Sequence, residues 1–461
     1  MTDMVEASHD AEQTLLGRIT STFVFLFEKV MPDPYIFAVL LTFLGAALAW
    51  KFAPNATPST IVSAWYGGVF TIFTFAFQMV IMLVAGYALA TSPIIHRGLA
   101  KLAGTARTPM SAISLTLLVG MVASWLNWGL GLVTAALLAR EVAKHVRVDF
   151  GWLVAAAYSG FVISTEGLSG SILLSQATHG SALNIVEKVT GRGLPLTETV
   201  FTKTNLLPIA FLLVVLPITF RYLGPKAKHS VYADPERLRA EDQLRSPAET
   251  RKTPGAKLDN AWVLNIALAA FGFFAVAVDL HHTGGAIDLN LVIMVLFLLG
   301  LILHWRPLAY ITAIKHAARI SGPLILQYPL YGGLMGIMTT TGLAAVLSKI
   351  FIRLSSAHTL PFYTYLTSLV ITLFVPSGGG HWAVQGPFAV PAAQHLHASL
   401  AGTTLAVAMG ESVANMLQPF FALPILAIAG ITMRRMMGFM VITFLISLAT
   451  FGLTLLVLLP R

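Results

Sequence analysis

Long apolar stretches run along most of this chain, and its polar residues gather in short clusters between them. Residues 36–50 and 69–90 are typical, each almost free of charge over its length. Neither shows the one-sided apolar stripe of a helix resting on a soluble core. Continuous runs of this size read as bilayer-crossing helices, whereas a β-barrel would alternate over segments of about ten residues. The pattern predicts an all-α polytopic membrane protein with six elements in each half. In the first half they cover 15–31, 34–52, 65–92, 109–146, 151–178 and 199–222. In the second they cover 261–280, 288–305, 320–346, 361–398, 402–430 and 437–460.

Two elements are interrupted by polar, glycine-rich sequence. Residues 124–131 read Ser-Trp-Leu-Asn-Trp-Gly-Leu-Gly, and residues 376–382 read Pro-Ser-Gly-Gly-Gly-His-Trp. Backbone polar groups cannot stay unpaired in lipid, so such breaks survive only against protein or a water-filled cavity. A matched pair of broken segments points to the substrate site of a secondary transporter. Other features recur in the same order. Residues 42–51 match 297–306, each with Gly and Trp five apart and a cation after the Trp. Apolar helices begin at Gln78 and Gln327 and end in hydroxyl residues, at Thr91 and Thr341. The chain therefore divides into an acidic tail (1–14), a first repeat (15–222), a charged, proline-containing linker (223–260) and a second repeat (261–461).

The first break sets the topology. Its arms, 110–125 and 130–145, hold about 16 residues each, against the roughly 20 of a full crossing. Short arms joined at a polar tip predict a re-entrant hairpin. Five crossings then remain in each half, and an odd number inverts the second repeat relative to the first. Charge agrees. With the linker in the cytoplasm, about 21 of the 29 Lys and Arg fall on the inner side, as the positive-inside rule requires. Residues 15–31 carry Arg18, Glu28 and Lys29, and either span the membrane or lie along its surface.

Composition narrows the class further. The chain is 56% hydrophobic and 11% charged, roughly half the charge of a soluble domain. Its net charge of +9 reports membrane orientation, not nucleic-acid binding. It has no cysteine, which excludes disulfides, thiol catalysis and cysteine-ligated metals. The polar, acidic start does not look like a cleavable signal sequence.

Candidate chemistry clusters at the breaks. At the first, Ser124, Asn127 and the backbone amides of Trp128 and Gly129 would stand at a helix end, where unpaired N–H groups attract anions. Trp125 and Trp128 could wall an apolar pocket, or else anchor a loop at the membrane surface. At the second, Ser377, Gly378, Gly379 and Gly380 allow close approach to the main chain, with His381, Trp382 and Gln385 following. No Gly-Lys-Ser/Thr is present, so this is not a phosphate loop. His381 could donate to a carboxylate or carry a proton, the alternative being a neutral ring satisfied locally. Glu166, with Ser169 nearby, and Glu411, with Asn415 and Gln418 on its own helix, are ionisable groups at membrane depth and functional candidates for that reason. A carboxylate would repel an anionic substrate unless protonated or paired with a cation, so a coupling role suits them. Pro419 would free carbonyls for a small cation. Gly86, Gly332, Gly333 and Gly336 are expected to permit close helix contact.

With these residues in hand, the chain resembles the bacterial short-chain fatty acid transporter family, the acetoacetate and butyrate permeases. The resemblance rests on residues 30–35 (Val-Met-Pro-Asp-Pro-Tyr), 127–131, 375–385 and 414–424 (Ala-Asn-Met-Leu-Gln-Pro-Phe-Phe-Ala-Leu-Pro), and it covers nearly the whole chain. The Pro-Ser-Gly-Gly-Gly-His-Trp segment is its most specific part. It implies membership of the larger ion-transporter superfamily. From that follow paired re-entrant hairpins, a transport domain sliding against a scaffold in elevator fashion, a small monocarboxylate substrate, and location in the bacterial inner membrane. A homodimer formed through the scaffold is also implied. The Ser-Asn-Thr tip motifs of relatives, which hold a carboxylate and sodium, are absent here as such. Asn127 and Ser377 are their nearest counterparts, so the coupling ion is a proton or sodium. No other cofactor is expected, and no nucleic acid.

Three other readings compete. The substrate could be another small organic anion, such as a dicarboxylate. An intramembrane hydrolase would need Ser159 beside His381 as its base. A channel would not need a mobile domain.

Overall fold

A computed structural model describes residues 33–225, 230–244, 253–418 and 420–459. The tail 1–14, the element at 15–31 and Pro419 lie outside the described residues. Among those described, the fold is all helix, with one isolated bridge pairing Asp149 and Tyr232.

The first half opens with α1 (Pro34–Phe52), capped by Asp33, whose side chain accepts from the Tyr35 amide at 2.8 Å. Then come α2 (Pro58–Thr71) and α3 (Phe73–Ala90), one run interrupted at Ile72, and the short, cationic α4 (Pro93–Ala103). A hairpin follows, α5 (Pro109–Leu126) and α6 (Trp128–Ala143). After it lie α7 (Phe150–Ser159) with a 3₁₀ turn at Gly160–Ile163, an irregular stretch, α8 (Ser171–Ala177), α9 (Ile185–Thr190) and α10 (Lys203–Tyr222). The linker contributes α11 (Pro235–Leu244) and α12 (Pro254–Asp259). The second half runs α13 (Trp262–His282), α14 (Leu289–His304), α15 (Pro307–Ala318), α16 (Gly322–Thr341) and α17 (Leu343–Leu354). It ends with α18 (Leu360–Phe374), α19 (Gly378–His395), α20 (Leu400–Ala414), α21 (Ala422–Ala429) and α22 (Met433–Val457).

Six of the described helices (α1, α3, α5, α10, α13 and α22) are long and apolar enough to cross a membrane. The bent pair α16–α17, which turns by 77°, makes a seventh. The arm α5 is among the six. Thr108 caps it and Pro109 starts it, so it reaches 18 residues, longer than the sequence pattern suggested.

Packing partners recur in order. Helix α3 lies on α6 as α16 lies on α19, α4 on α6 as α17 on α19, and α14 on α3 as α1 on α16. Helices α2 and α16 cross closely, where small residues let the backbones meet: a Cβ on Gly332 would stand 2.6 Å from the Gly68 carbonyl oxygen. Gly336 meets α2 in the same way, and Gly333 meets the Trp65 ring.

Most of the described linker residues are exposed, but part of the linker is docked on the helices. Leu238 on α11 is buried, and its carbonyl accepts from Arg140 Nη2 at 3.5 Å, while Nη1 of the same buried arginine donates to the Ile428 carbonyl at 3.0 Å. The Val231 amide donates to Asp149 Oδ2 at 2.7 Å, and the Val231 carbonyl accepts from the Phe150 amide at 3.0 Å. An apolar anchor and paired backbone groups hold this part of the linker against α6, α7 and α21.

Candidate functional site

The first break is one residue wide. Asn127 ends α5 and caps α6 in an extended conformation, with its Oδ1 accepting from the Leu130 amide at 2.8 Å. The arms double back on each other, Ser124 pressing on Gly131 and Gly120 on Ala135. The tip is anchored from two sides. The Trp128 amide donates to Ser169 Oγ at 2.9 Å, and the Leu168 amide to the Trp125 carbonyl at 2.8 Å. Asn127 is fully buried, yet its Nδ2 has no partner, nor does Trp125 Nε1.

The second break is built differently. Ser377 caps α19, its Oγ accepting from the Gly380 amide at 3.4 Å. Each of the three following glycines faces a neighbour that leaves no room for a side chain: Gly378 faces Ser171 and Glu411, Gly379 the rings of Phe75 and Tyr328, and Gly380 the ring of Tyr331. His381 points back into its own hairpin. Its Nδ1 lies 3.1 Å from Thr372 Oγ1 and its Nε2 lies 2.5 Å from Gln385 Oε1, while Gln385 Nε2 donates to the Thr364 carbonyl at 2.9 Å. Trp382 Nε1 donates to the Leu183 carbonyl at 2.9 Å, fixing α19 to the loop before α9.

Both carboxylates are buried, but their surroundings differ. Glu166 is satisfied: Thr165 Oγ1 is 3.1 Å from its Oε1 and Ser412 Oγ is 2.9 Å from its Oε2. Glu411 Oε2 has no hydrogen-bond partner. Asn415, one turn on, accepts from Gln418 through Oδ1 and leaves Nδ2 unpaired; its carbonyl accepts from Tyr158 Oη at 2.7 Å. Ser164 Oγ is a third buried polar atom without a partner. Unpartnered buried polar atoms are rare in folded proteins and each needs a reason.

That reason is spatial, since Glu411, Asn415 and Ser164 line one cavity of about 30 Å³ between the two breaks. It has room for water or a small ion, not for an organic acid. Of the sequence candidates, Trp128, Ser377, Gly378, Glu411 and Asn415 line it. Ser124, Asn127, Gly129, Gly379, Gly380, His381, Trp382, Gln385, Glu166, Ser169 and Gln418 are not part of its lining. Sequence reasoning missed Ser171, Tyr328, Phe161 and Phe421, which also face the cavity. Phe161 and Phe421 pack on each other with centroids 5.2 Å apart, and Phe421 meets Trp128 edge-on. These rings make one wall apolar opposite the polar group. The Ser159–His381 pairing that a hydrolase would need does not form: Ser159 Oγ bonds the Ala155 carbonyl and Thr443 Oγ1.

Comparison with known proteins adds the following. Residues 15–459 match the family described as short chain fatty acid transporter. A protein of Escherichia coli K12 named as a candidate short-chain fatty acid transporter is 38% identical over 444 residues, spanning 96% of this chain and 100% of its own. A Haemophilus influenzae protein of the same name is 35% identical over 428 residues, spanning 92% and 95%. Among solved structures, the fold resembles the Alcanivorax borkumensis YdaH transporter, with a TM-score of 0.58 and 19% identity over 93% of this chain and 97% of that one. It also resembles Neisseria gonorrhoeae MtrF, described within a class of antimetabolite efflux pumps, with a TM-score of 0.56 and 15% identity over 96% and 97%. At those identities the structural likeness is one of fold alone.

Proposed function

This chain belongs to the short-chain fatty acid transporter family, and from that premise we propose that it carries short monocarboxylates such as butyrate and acetoacetate across the bacterial cytoplasmic membrane, in symport with protons or sodium. It is a multi-pass membrane transporter and not an enzyme.

One observation carries the mechanism. Glu411, a buried carboxylate whose Oε2 has no hydrogen-bond partner, shares a cavity with Ser164 Oγ and the Asn415 side chain at the first turn of α19. Hydroxyl and amide donors suit an incoming carboxylate, as do the first amides of α19, which the helix itself cannot satisfy. Glu411 does not suit it while ionised. Two like charges about 4 Å apart repel by roughly 4 kcal/mol at the effective dielectric of a protein site. The substrate therefore binds together with a proton on Glu411 or a cation beside it, and each favours the other reciprocally. This linkage is the coupling. Asn127 and Ser377 act at the two tips as helix caps, and Asn127 also offers its unpaired amide. Glu166 and Ser169 brace the cavity from behind, with Gln418 fixing the Asn415 side chain.

The repeated packing order supports two inverted repeats with re-entrant hairpins, α5–α6 and α18–α19. The cation distribution supports a cytoplasmic linker. The cavity is too small for substrate, so binding requires the hairpins to move relative to α2 and α16. We read this as an elevator motion in a homodimer. The test is uptake of labelled butyrate into proteoliposomes with proton and sodium gradients imposed separately. Accumulation driven by one of them is expected. Equal uptake with and without both gradients would overturn the symport.

A further inference from the structure

A second, larger space lies apart from the central cavity. A groove of about 780 Å³ opens between α2, α16 and α19, with α9 at its edge. Ser59, Ser63, Gly67 and Thr71 line it from α2, four residues apart and so on one helix face. Thr339 and Thr340 face them from α16. Among the described residues, Lys188 on α9 is the only charged one in the lining. Thr71 and Thr339 donate to carbonyls of their own helices, at 3.0 and 2.9 Å, but their oxygens and the Ser59 and Ser63 hydroxyls still line the groove, which suits a water-filled path.

The same helix faces continue to the central cavity. Beyond the interruption at Ile72, the α2 face leads to Phe75 and then to Met79, which lines the cavity. On α16, Met335 lines the groove and Tyr328 lines the cavity. Between the two spaces stand Phe75 and Tyr328, edge to face with centroids 5.8 Å apart, both against Gly379.

We propose that this groove is an outer vestibule that admits the carboxylate substrate, that Lys188 draws the anion in, and that Phe75 and Tyr328 form the barrier between vestibule and central site. The proposal rests on the monocarboxylate-carrier reading above. Lys188 donates to the Ala182 carbonyl at 2.5 Å, which fixes its ammonium at the rim and leaves further N–H groups to meet an anion. While closed, this aromatic barrier separates the central site from the vestibule, and it must move for the substrate to pass.

The chain has no cysteine, so Ser63→Cys and Thr71→Cys each introduce a unique thiol. A membrane-impermeant anionic thiosulfonate is applied from either side of oriented vesicles. We expect labelling of both variants only from the side opposite the linker, slower labelling of Thr71→Cys with butyrate present, and loss of butyrate uptake once Ser63→Cys is labelled. Lys188→Gln should raise the half-saturating butyrate concentration about threefold at low salt, with the maximal rate kept, because one attracting charge is lost. Labelling only from the linker side, no labelling of either thiol, full uptake by labelled Ser63→Cys, or an unchanged half-saturation in Lys188→Gln would each overturn the vestibule while the unmodified protein still transports butyrate. Failure of the unmodified protein to take up butyrate overturns the carrier reading itself, and this proposal with it.

Discussion

Gly378 and Glu411 are in contact across the central cavity: a Cβ on the glycine would stand 3.0 Å from Glu411 Oε2 and 3.3 Å from Oε1. The buried carboxylate thus rests against the start of α19, where a helix presents unpaired amides and partial positive charge. The contact joins the second break to the helix that follows it, and Ser171 from the first half meets the same glycine.

That crowding makes Gly378→Ala a direct test. The added methyl must displace the Ser171 hydroxyl and crowds the Glu411 carboxylate, so it changes the shape of the cavity. We expect loss of butyrate uptake with normal amounts of protein in the membrane. Adding Ser171→Gly removes one of the two obstructing groups and should restore part of the activity. Wild-type uptake by Gly378→Ala alone would show that this contact does not shape the site.

Glu411→Gln keeps the shape of the side chain and removes its ability to gain or lose a proton. Without the charge, substrate binding no longer depends on a co-bound proton or cation. We expect butyrate exchange across the membrane to persist while gradient-driven accumulation disappears. Counterflow and uphill uptake, measured on the same vesicles, separate the two. Accumulation that keeps its normal dependence on pH and sodium would move the coupling site elsewhere.

Asn127 combines a structural and a chemical role that two substitutions separate. Its Oδ1 caps α6 through the Leu130 amide, and its Nδ2 is unpaired. Asn127→Ala should cost about 1 kcal/mol of stability from the lost cap. Asn127→Ser keeps a capping oxygen and most of that stability. Neither retains the amide donor, so both should fail to transport. Thermal unfolding in detergent and uptake assays check the two halves of this expectation. An active Asn127→Ser would reduce the residue to a cap.

The main apolar elements were legible because bilayer-length runs and their caps are local signals. Pro34–Phe52 begins and ends where the sequence pattern put it, and both breaks fall at Asn127 and Ser377. The short helices α4, α15 and α17 were not foreseen as separate elements. Their few charges, such as Arg97, Lys101, Lys349 and Arg353, read equally well as loops between crossings. In the cavity, Glu411 and Asn415 stood out because polar groups are rare at membrane depth. Ser171, Tyr328 and Phe421 carry no such local mark. Ser171 lies in the first repeat, Tyr328 inside an apolar run and Phe421 beyond the Asn415 turn, and only tertiary packing brings them together. The docked linker was hidden for the same reason: a single buried leucine, Leu238, in a charged segment gives no periodic signal.

The linker contact has its own test. Arg140 is buried and donates to carbonyls of Ile428 and Leu238, so Arg140→Gln shortens the donor and should release α11. Limited proteolysis of membranes should then cut residues 230–244 faster than in the unmodified protein. An unchanged cleavage rate would mean that Leu238 packing and the Val231–Asp149 bond hold the segment without the arginine.

The last prediction concerns the histidine beside the triple glycine. The Gln385 amide is oriented by its donation to the Thr364 carbonyl, which turns Oε1 toward His381 Nε2. Because Oε1 only accepts, Nε2 carries a hydrogen, while the Thr372 hydroxyl, which donates to the Ser368 carbonyl at 2.8 Å, lies 3.1 Å from Nδ1. Both ring nitrogens thus meet polar partners within the same hairpin, which suits a tie between α18 and α19 better than a proton carrier. His381→Leu strands Gln385 Oε1, and should lower stability by about 1–3 kcal/mol. Any remaining uptake should keep the pH profile of the unmodified protein. A flattened or displaced profile in His381→Leu, with the profile of Glu411→Gln unchanged, would assign the proton to the histidine instead.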